Sequence, residues 1–501
     1  MAGAPSTDEP RRITITSPRD GREVGVLPVT EPEDVQEVVD AARQAFSRWG
    51  GLTRRDRQPS LRAYTASVLS DMDNIASTIS AETGKDLGEA LAEVTAALTA
   101  MDYYARNAEK LLETRRGRPW PFVTTRGWTQ YHPRGVAGVI SPWNYPFYLP
   151  MLSTIQALAA GCTVVLKPSE VAPHSGALVG SLAEAAGLQP NTVSVIHGFS
   201  DTGAALVESN IDIVAFTGST EIGKRVAIEA AETLNPTVLE LGGNDAMIVL
   251  EDANVKNAAR AAVTFGVINA GQTCVGVERV YVVDEVYDDF MSEALASIKR
   301  LTVSDGGSGD IGPVVTTEQV KIVEDHVADA VAKGAEVICG GQRVDTDHGT
   351  YYQPTLVTGV DHTMALMRDE TFGPVVPVMR VPDETTALDM ANESRFGLHG
   401  SVWTSNKARG RWVASRMRTG TVAINDHLIN FFYPSIPLGG TRESGTGAVL
   451  GGEGLKNFCV HRSITEARFA PTTRLLGVWL PRKVGPAYWR LLAKALFSWR
   501  R

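Results

Sequence analysis

The sequence predicts an α/β protein in which mostly parallel, doubly wound sheets are covered by helices. Two observations predict this fold class. Short apolar runs, typical of buried strands, alternate with helical patterns from residue 135 onward. The alternation resumes after a Gly-Gly pair at 242–243, so we expect two α/β layers with a boundary near residues 242–244.

The first 134 residues show a different sequence pattern, with helical segments followed by an extended region. Residues 33–48 are expected to form a helix, with Glu33 and Asp34 in its first turn. Two longer Ala- and Leu-rich helices are expected at 57–80 and 85–112. Residues 117–133 are rich in Pro, Gly, Trp and Thr, which predicts an extended hairpin or arm.

The βαβ region supplies the remaining elements. We expect strands at 136–140, 163–166, 193–196 and 213–216, helices at 156–161, 175–186 and 220–233, and further strands near 247–250, 280–283 and 336–339.

The tail, residues 474–501, belongs to a stretch without acidic residues. After Glu466 the charged residues are all basic, and Tyr488, Leu492 and Leu496 recur at helical spacing. This pattern predicts a short basic amphipathic helix, too short to span a bilayer. Two interpretations stay open: docking on a neighbouring subunit, and peripheral contact with a membrane.

Composition narrows the function classes. The chain has 501 residues and a net charge of −9, which argues against nucleic-acid binding. Its four cysteines are far apart in sequence and form no CxxC pair, so neither a disulfide framework nor a zinc site is expected. Reduced thiols, the lack of a signal-like start and the lack of long apolar runs together predict a cytoplasmic enzyme.

Four segments carry the chemistry. They are Ser-Pro-Trp-Asn-Tyr-Pro at 141–146, Lys-Pro-Ser-Glu at 167–170, Phe-Thr-Gly-Ser-Thr-Glu-Ile-Gly at 216–223, and Glu-Leu-Gly-Gly at 240–243 followed by Gly-Gln-Thr-Cys at 271–274. Three lie at expected strand ends, where ligands of open α/β sheets gather. The 218–223 turn opens a helix whose N–H groups suit a phosphate, although a plain strand-to-helix turn explains it equally well. Neither GxGxxG nor Walker A occurs.

Together these segments resemble the aldehyde dehydrogenase superfamily over roughly residues 13 to 465, with Glu-Thr-Phe-Gly-Pro at 370–374 and Pro-Leu-Gly-Gly at 437–440 in the same order. Parts of the chain also resemble bacterial succinate-semialdehyde dehydrogenases. The resemblance implies two doubly wound Rossmann-like domains with a protruding β oligomerisation arm, assembled as a homodimer or homotetramer. It places the NAD-binding domain at 1–116 and 134–243, the catalytic domain at 244–440, and the arm at 117–133 and 460–470.

The resemblance also assigns three catalytic roles. Cys274 matches the nucleophile that forms a thioester. Asn144 matches the donor to the tetrahedral oxyanion, together with the Cys274 backbone N–H. Glu240 matches the base that activates water for hydrolysis, and relatives that transfer the acyl group to coenzyme A tend to lack this acid. The ordinary alternatives are a structural cysteine, a turn residue and an ion-paired carboxylate.

The cofactor is expected to be NAD, with NADP as the alternative, and no metal. The carboxylate of Glu170 would accept from the adenosine 2′-OH and repel a 2′-phosphate. By resemblance, the cofactor contacts are Ser141, Trp143, Lys167, Ser169, Glu170, Gly218, Ser219, Thr220, Glu221, Ile222, Gly223, Glu370 and Phe372. Two features depart from the family pattern: Asn244 stands where Lys is usual, and residues 197–203 form a loose version of the glycine-rich loop.

The substrate is less sharply defined. Trp143, Tyr148 and the aromatic run at 431–433 match positions at the family's aldehyde tunnel, which favours an apolar or aromatic aldehyde. Succinate semialdehyde is the alternative substrate, although no tunnel cation is evident. A catalytically silent scaffold on the same fold and a thiol hydrolase that pairs Cys274 with a histidine are alternatives of other classes.

Overall fold

The computed structural model describes residues 11–119, 125–303, 309–344, 349–468 and 484–498. The strands in these ranges are β1 (Arg12–Thr16), β2 (Glu23–Pro28), β3 (Arg115–Arg116), β4 (Thr125–Pro133), β5 (Val136–Ile140), β6 (Thr163–Lys167), β7 (Val193–Val195), β8 (Ile213–Thr217), β9 (Thr237–Glu240), β10 (Ala246–Val249), β11 (Arg279–Val283), β12 (Glu336–Cys339), β13 (Thr355–Thr358), β14 (Val375–Val381), β15 (Gly400–Trp403), β16 (Ala423–Ile424), β17 (Gly445–Thr446) and β18 (Cys459–Ala467).

The helices in the same ranges are α1 (Val35–Trp49), α2 (Arg54–Ser70), α3 (Met72–Thr83), α4 (Leu87–Leu111), α5 (Tyr148–Ala160), α6 (Pro173–Ala185), α7 (Ser200–Glu208), α8 (Thr220–Glu232), α9 (Val255–Val267), α10 (Asp284–Ile298), α11 (Thr317–Ala332), α12 (Ala365–Arg368), α13 (Glu384–Asn392), α14 (Lys407–Ala414), α15 (Gly451–Asn457) and α16 (Gly485–Phe497).

The first large sheet has the strand order β17-β9-β8-β5-β6-β7 and is parallel except at β17. From β5 the chain builds outward through β6 and β7, and then returns to place β8 on the other side of β5. The order therefore reverses between β5 and β8, and a crevice opens at their carboxyl ends.

The second large sheet has the order β12-β13-β14-β11-β10-β15-β16, with an antiparallel pairing only between β12 and β13 among its described strands. The chain passes from the first sheet to the second between Glu240, where β9 ends, and Ala246, where β10 begins. The α/β fold class and a crossing near 242–244 agree with the sequence prediction, whereas the antiparallel edges are additions to it.

Two helix predictions were wrong in extent. The helix expected at 57–80 is interrupted at Asp71, whose carboxylate accepts from Asn74 Nδ2 and whose backbone ends α2 and starts α3. The helix expected at 156–161 is α5, which begins eight residues earlier, at Tyr148. Nearly all of α5 is buried, so it lacks the amphipathic period that marks a helix in sequence. Pro150 lies in its first turn, where proline is tolerated.

The expected arm contains a three-stranded sheet with the order β18-β4-β3. β18 pairs antiparallel with β4 over nine residues, from Cys459 opposite Pro133 to Ala467 opposite Thr125. Residues 120–124, 469 and 470 of the expected arm lie outside the described ranges. The tail helix is α16, while residues 474–483 and 499–501 of the tail also fall outside them. No helix within the described ranges combines the length and apolar content that a bilayer crossing requires.

Candidate active site

A cleft of about 860 Å³ opens at the carboxyl ends of the first sheet. It lies where the strand order reverses, between the segments that follow β5 and β8. The predicted site residues that line it are Ser141, Trp143, Asn144, Lys167, Ser169, Glu170, Gly218, Ser219, Ile222, Glu240, Cys274, Glu370 and Phe372. Four segments that are distant in sequence therefore meet in one cavity.

Three predicted cofactor residues do not line this cleft. Thr220 Oγ1 donates to the backbone carbonyl of Glu443, and Glu221 is exposed and ion-paired with Arg225. Gly223 is buried against Leu241. A Cβ at this position would lie 2.3 Å from Leu241 Cδ2, so a larger residue would clash. Thr220 and Gly223 hold the start of α8 against its neighbours, whereas the ion pair of Glu221 lies within α8 itself. The sequence analysis did not single out other lining residues, among them Arg225, Gln319 and Ile322.

The segment that carries Cys274 follows a sharp change of backbone direction after α9. Asn269, Ala270 and Gly271 all have positive φ, at 53°, 54° and 76°. A Cβ on Gly271 would lie 2.0 Å from the Gly373 carbonyl oxygen, so only glycine fits. Fully buried Gln272 donates to the Asn269 carbonyl at 2.8 Å and accepts from Val315 N at 2.8 Å. The motif around Cys274 therefore fixes the loop that presents the thiol.

Cys274 is half-buried and lines the cleft. Burial raises the pKa of its thiol above the usual range, and the nearby carboxylates of Glu370, Asp245 and Glu240 raise it further. At neutral pH the thiol is therefore protonated, and nucleophilic attack requires a group that removes this proton.

Glu240 ends β9 and lines the cleft together with Cys274. Its side chain is buried, and neither carboxyl oxygen has a hydrogen-bond partner in the described parts of the chain. Burial raises the pKa of this carboxyl well above its usual range. A buried carboxyl without partners is unfavourable for stability, and such groups call for a functional explanation.

Asn144 is buried between the two sheets. Its Nδ2 donates to the Gln272 carbonyl at 3.1 Å, which uses one of the two amide hydrogens, and its Oδ1 has no partner among the described atoms. Its backbone carbonyl accepts from Asn269 Nδ2 at 3.0 Å and from Lys85 Nζ at 2.7 Å. Asn144 is therefore held against the loop that carries Cys274, and the second N–H of its side-chain amide can donate to a ligand.

The sequence analysis missed three charged groups at the start of α4, namely Lys85, two residues before the helix, and Glu89 and Glu93 within it. Lys85 Nζ lies 2.7 Å from Glu93 Oε2, and both side chains are closed to solvent. Glu93 Oε1 accepts from the backbone N–H groups of Phe147 and Tyr148, and so caps α5. Glu89 accepts from Asn269 N at 2.9 Å. The four-residue spacing of 85, 89 and 93 is the available signal, but such charge patterns usually mark a solvated helix face.

The far side of the cleft carries the predicted ribose and nicotinamide contacts. Lys167 Nζ lies 3.3 Å from Glu170 Oε2, whose side chain is 40% exposed. Glu370 accepts from Gly243 N at 2.9 Å, and burial together with the charge of Glu278 raises its pKa to about 8. The Phe372 and Trp143 rings meet edge to face at 5.8 Å between centroids.

The substitution at Asn244 now has a structural account. Its Nδ2 donates to the Asp369 carbonyl at 2.8 Å, and its backbone carbonyl accepts from Arg279 Nε. Asn244 therefore braces the segment that precedes Glu370, and it does not line the cleft.

A second cavity, of about 30 Å³, also has Cys274 in its lining. Its lining residues are Tyr148, Leu149, Leu152, Ser153, Thr217, Glu240, Leu241, Cys274, Leu398, Phe431, Leu438, Val449 and Leu450. None of these is a Lys, Arg or His. Of the aromatic residues expected here, Tyr148 and Phe431 line the cavity, whereas Trp143 lines the larger cleft and Phe432 and Tyr433 are exposed. We call this cavity the apolar tunnel.

Among the described residues, no histidine lines the cleft or the apolar tunnel beside Cys274, so the dyad that a thiol hydrolase requires does not form there. Buried His427 Nδ1 contacts Ser401 Oγ at 2.7 Å, and neither this residue nor His399 lines the cleft or the apolar tunnel. Across the described ranges, no three His, Cys, Asp or Glu side chains are grouped so as to hold a metal ion.

Comparisons with known proteins agree on one family. A model described as the aldehyde dehydrogenase family matches residues 5–464. The chain is 38% identical over 449 residues to 4,4′-diapolycopene aldehyde oxidase from Methylomonas sp, with 89% of this chain and 84% of that protein covered. It is 35% identical to a Mycobacterium ulcerans protein provisionally named an NADP-dependent succinate-semialdehyde dehydrogenase, with 98% and 94% covered.

Solved structures show the same similarity. The betaine aldehyde dehydrogenase of Staphylococcus aureus, determined in complex with NAD⁺, superposes with a TM-score of 0.87 at 31% identity. The superposition covers 92% of each chain.

The buried pair of Lys85, just before α4, and Glu93, on α4, gives a double-mutant prediction. Lys85→Met and Glu93→Gln should each lower the free energy of unfolding by about 3–5 kcal/mol, because each leaves a buried polar partner unmatched. The combined variant should lose less than the sum, and urea denaturation measures this coupling. Lys321→Met, which breaks an exposed pair, is the control and should change stability by less than about 1 kcal/mol. Additive losses at Lys85 and Glu93 would contradict this account.

Proposed function

Because the chain belongs to the aldehyde dehydrogenase family, we propose that it oxidises an apolar or aromatic aldehyde to a carboxylic acid with NAD(P), through a thioester on Cys274. One observation carries the proposal. Glu240, a buried carboxyl without a hydrogen-bond partner in the described chain, lines both the cleft and the apolar tunnel, and Cys274 lines the same two cavities. A base and a nucleophile thus meet where the two cavities join.

The cleft fits a dinucleotide. Its volume of about 860 Å³ lies within the range of ligand sites, and its position is the one that nucleotide-binding α/β sheets use. The start of α8 would face the phosphates, Lys167 and Glu370 would hold the riboses, and Trp143 and Phe372 would border the nicotinamide. When bound, the dinucleotide supplies the hydride acceptor.

The first step requires the Cys274 thiolate. Because the pKa of this thiol is raised, a base must take its proton, and Glu240 is the carboxyl that shares both cavities with it. The sulfur then adds to the aldehyde carbon, and the carbonyl oxygen becomes an oxyanion. The remaining Asn144 N–H and the Cys274 backbone N–H donate to this oxygen. Lys85 and Glu93 act as positioning residues, because they hold the Asn144 backbone.

Loss of hydride from the former aldehyde carbon leaves an acyl thioester on Cys274. Glu240 first releases the proton taken from Cys274 to solvent through the cleft. Its carboxylate then removes a proton from a water molecule, and the resulting hydroxide attacks the thioester carbon. The carbon–sulfur bond breaks, and the products are the carboxylic acid and the free Cys274 sulfur. The raised pKa of Glu240 brings its proton affinity closer to that needed for this task near neutral pH.

The substrate class follows from the apolar tunnel. A carboxylate-bearing aldehyde would need a cationic partner there, and the tunnel lining has none. The name of the Methylomonas relative refers to 4,4′-diapolycopene aldehyde, which supports an apolar substrate, whereas that of the Mycobacterium ulcerans relative supports the succinate semialdehyde alternative. The lining favours the apolar class.

We also propose that the arm sheet joins copies of this chain into a homodimer or homotetramer. β18 lies at an edge of the three-stranded sheet, and residues 460–463 on it are exposed. A nine-residue edge strand with free backbone groups is suited to pairing with a partner.

The catalytic assignment predicts two distinct defects. Cys274→Ala should give no NADH, measured by absorbance at 340 nm, while still binding NAD. Glu240→Gln should slow both the first NADH formed per active site and the later turnover by about a hundredfold or more, because thiolate formation and deacylation both lack their base. The wild-type steady-state rate should rise with pH through the raised pKa of Glu240, and this rise should vanish in Glu240→Gln. Unchanged turnover in Glu240→Gln would refute the assignment.

Glu170 is expected to set the cofactor preference. Glu170→Gln removes the charge that would repel a 2′-phosphate and frees Lys167 to attract it, so kcat/KM for NADP should rise about tenfold relative to NAD. Glu208→Gln is the matched control, since Glu208 is exposed on α7 and does not line the cleft. A ratio that moves equally in both variants would exclude a specific role for Glu170.

The substrate proposal is tested with matched aldehydes. Butanal has the same four-carbon chain as succinate semialdehyde but no carboxylate, and it should show the higher kcat/KM. For longer straight-chain aldehydes, kcat/KM should rise by up to about fourfold for each added methylene until the tunnel is filled. A preference for succinate semialdehyde over butanal would overturn the apolar assignment and support the alternative.

A further inference from the structure

Helix α16 is the feature that the proposed function leaves unused. It lies beyond residue 464, where the match to the family model ends. None of its residues is buried, and large apolar side chains face solvent: Trp489 is 46% exposed, Leu491 is 73% and Phe497 is 55%. Exposure of this kind on one short helix marks an interaction surface.

The charge of this region opposes that of the rest of the chain. The protein carries a net charge of −9, yet the sequence after Glu466 contains eight basic residues and no acidic one. On α16 itself, Arg490 and Lys494 are exposed and lie four residues apart, so they share one face of the helix. The partner that suits this face is negatively charged.

The aromatic content specifies the kind of partner. Three of the nine tryptophans, Trp479, Trp489 and Trp499, occur within residues 479–499. Tryptophan favours the boundary between lipid headgroups and acyl chains, because its ring is apolar while its N–H needs a polar partner. A helix with Lys and Arg on one face and Trp, Leu and Phe elsewhere is typical of segments that lie in this boundary.

The length of α16 sets its geometry. Thirteen residues at 1.5 Å each give a helix of about 20 Å, shorter than the roughly 30 Å hydrocarbon core of a bilayer. Such a helix lies along the surface and does not cross the bilayer.

We propose that α16 docks peripherally on an anionic lipid surface, with Arg490 and Lys494 at the headgroups and with Trp489 and Leu491, about 100° to either side of Arg490, at the acyl boundary. Docking holds the enzyme at the surface into which apolar aldehydes partition. The inference stands on the exposure and charge of α16, so it is independent of the substrate proposal.

Vesicle co-sedimentation of the full chain tests this surface. The protein should bind phosphatidylcholine vesicles that contain phosphatidylglycerol, and added salt should weaken this binding. Arg490→Gln combined with Lys494→Gln should lower the partition coefficient about thirtyfold, or about fivefold per charge. The control is Lys256→Gln combined with Arg260→Gln, an exposed pair with the same spacing on α9, which should bind like wild type.

A second variant separates the apolar contribution from the charge. Trp489→Ser combined with Leu491→Ser should also weaken binding, whereas Ile228→Ser, at an exposed position on α8, should not. Butanal oxidation should be unchanged in every variant, which shows that each one is folded. Absence of binding, or equal binding of wild type and the Arg490/Lys494 variant, would overturn the proposal. So would a fall in oligomeric mass of that variant without lipid, which would show docking on a second copy of the chain.

Discussion

Lys85 Nζ lies between Glu93 Oε2 and the Asn144 carbonyl oxygen, 2.7 Å from each and closed to solvent. Taking two charges out of water is unfavourable, and the pair is tolerable because its other polar atoms are also used. Glu93 Oε1 receives the two backbone N–H groups at the start of α5. Since Asn269 donates to the same carbonyl as Lys85, one oxygen atom joins the segment before α4, the segment after β5 and the loop that carries Cys274. These contacts fix the position of one sheet relative to the other at the point where the reaction is proposed to occur.

The parallel core of both sheets is predictable from sequence, because parallel strands are buried on both faces and appear as short, uniformly apolar runs. The same uniformity hides α5, which is buried on nearly every side and therefore has no amphipathic period. The break at Asp71 depends on a side-chain contact with Asn74, and the antiparallel edges depend on strands of two to four residues. Local patterns carry little information about such features, since tertiary contacts decide them.

Most of the predicted site residues lie around one cleft because their motifs follow strand ends, and the carboxyl ends of parallel strands share one edge. The neighbouring motif residues prove structural: Gly271 avoids a clash with Gly373, and Gln272 uses both ends of its amide within the loop. Lys85 and Glu89 were inaccessible to the same reasoning, because their partners lie 59 and 180 residues away.

Buried carboxyl groups lie near Cys274, and the buried Arg279 guanidinium offsets only part of the rise in the pKa values of Asp245 and Glu278. Burial raises the pKa of Glu278 to about 7 and that of Glu370 to about 8. In the folded protein these two carboxyls stay protonated over a pH range in which the unfolded chain would ionise them. Their contribution to the free energy of unfolding therefore falls as the pH rises from the ordinary carboxyl range toward 8.

The same low polarity that makes this arrangement unfavourable raises the pKa of Glu240 and suits it to act as a base. A cation placed in the apolar tunnel to bind a charged aldehyde would stabilise the Glu240 carboxylate and lower its pKa. It would thereby weaken Glu240 as a base. The leucines of the apolar tunnel would therefore serve two purposes. Their apolar surface would accommodate an apolar aldehyde, and it would keep the pKa of the proposed base, Glu240, high.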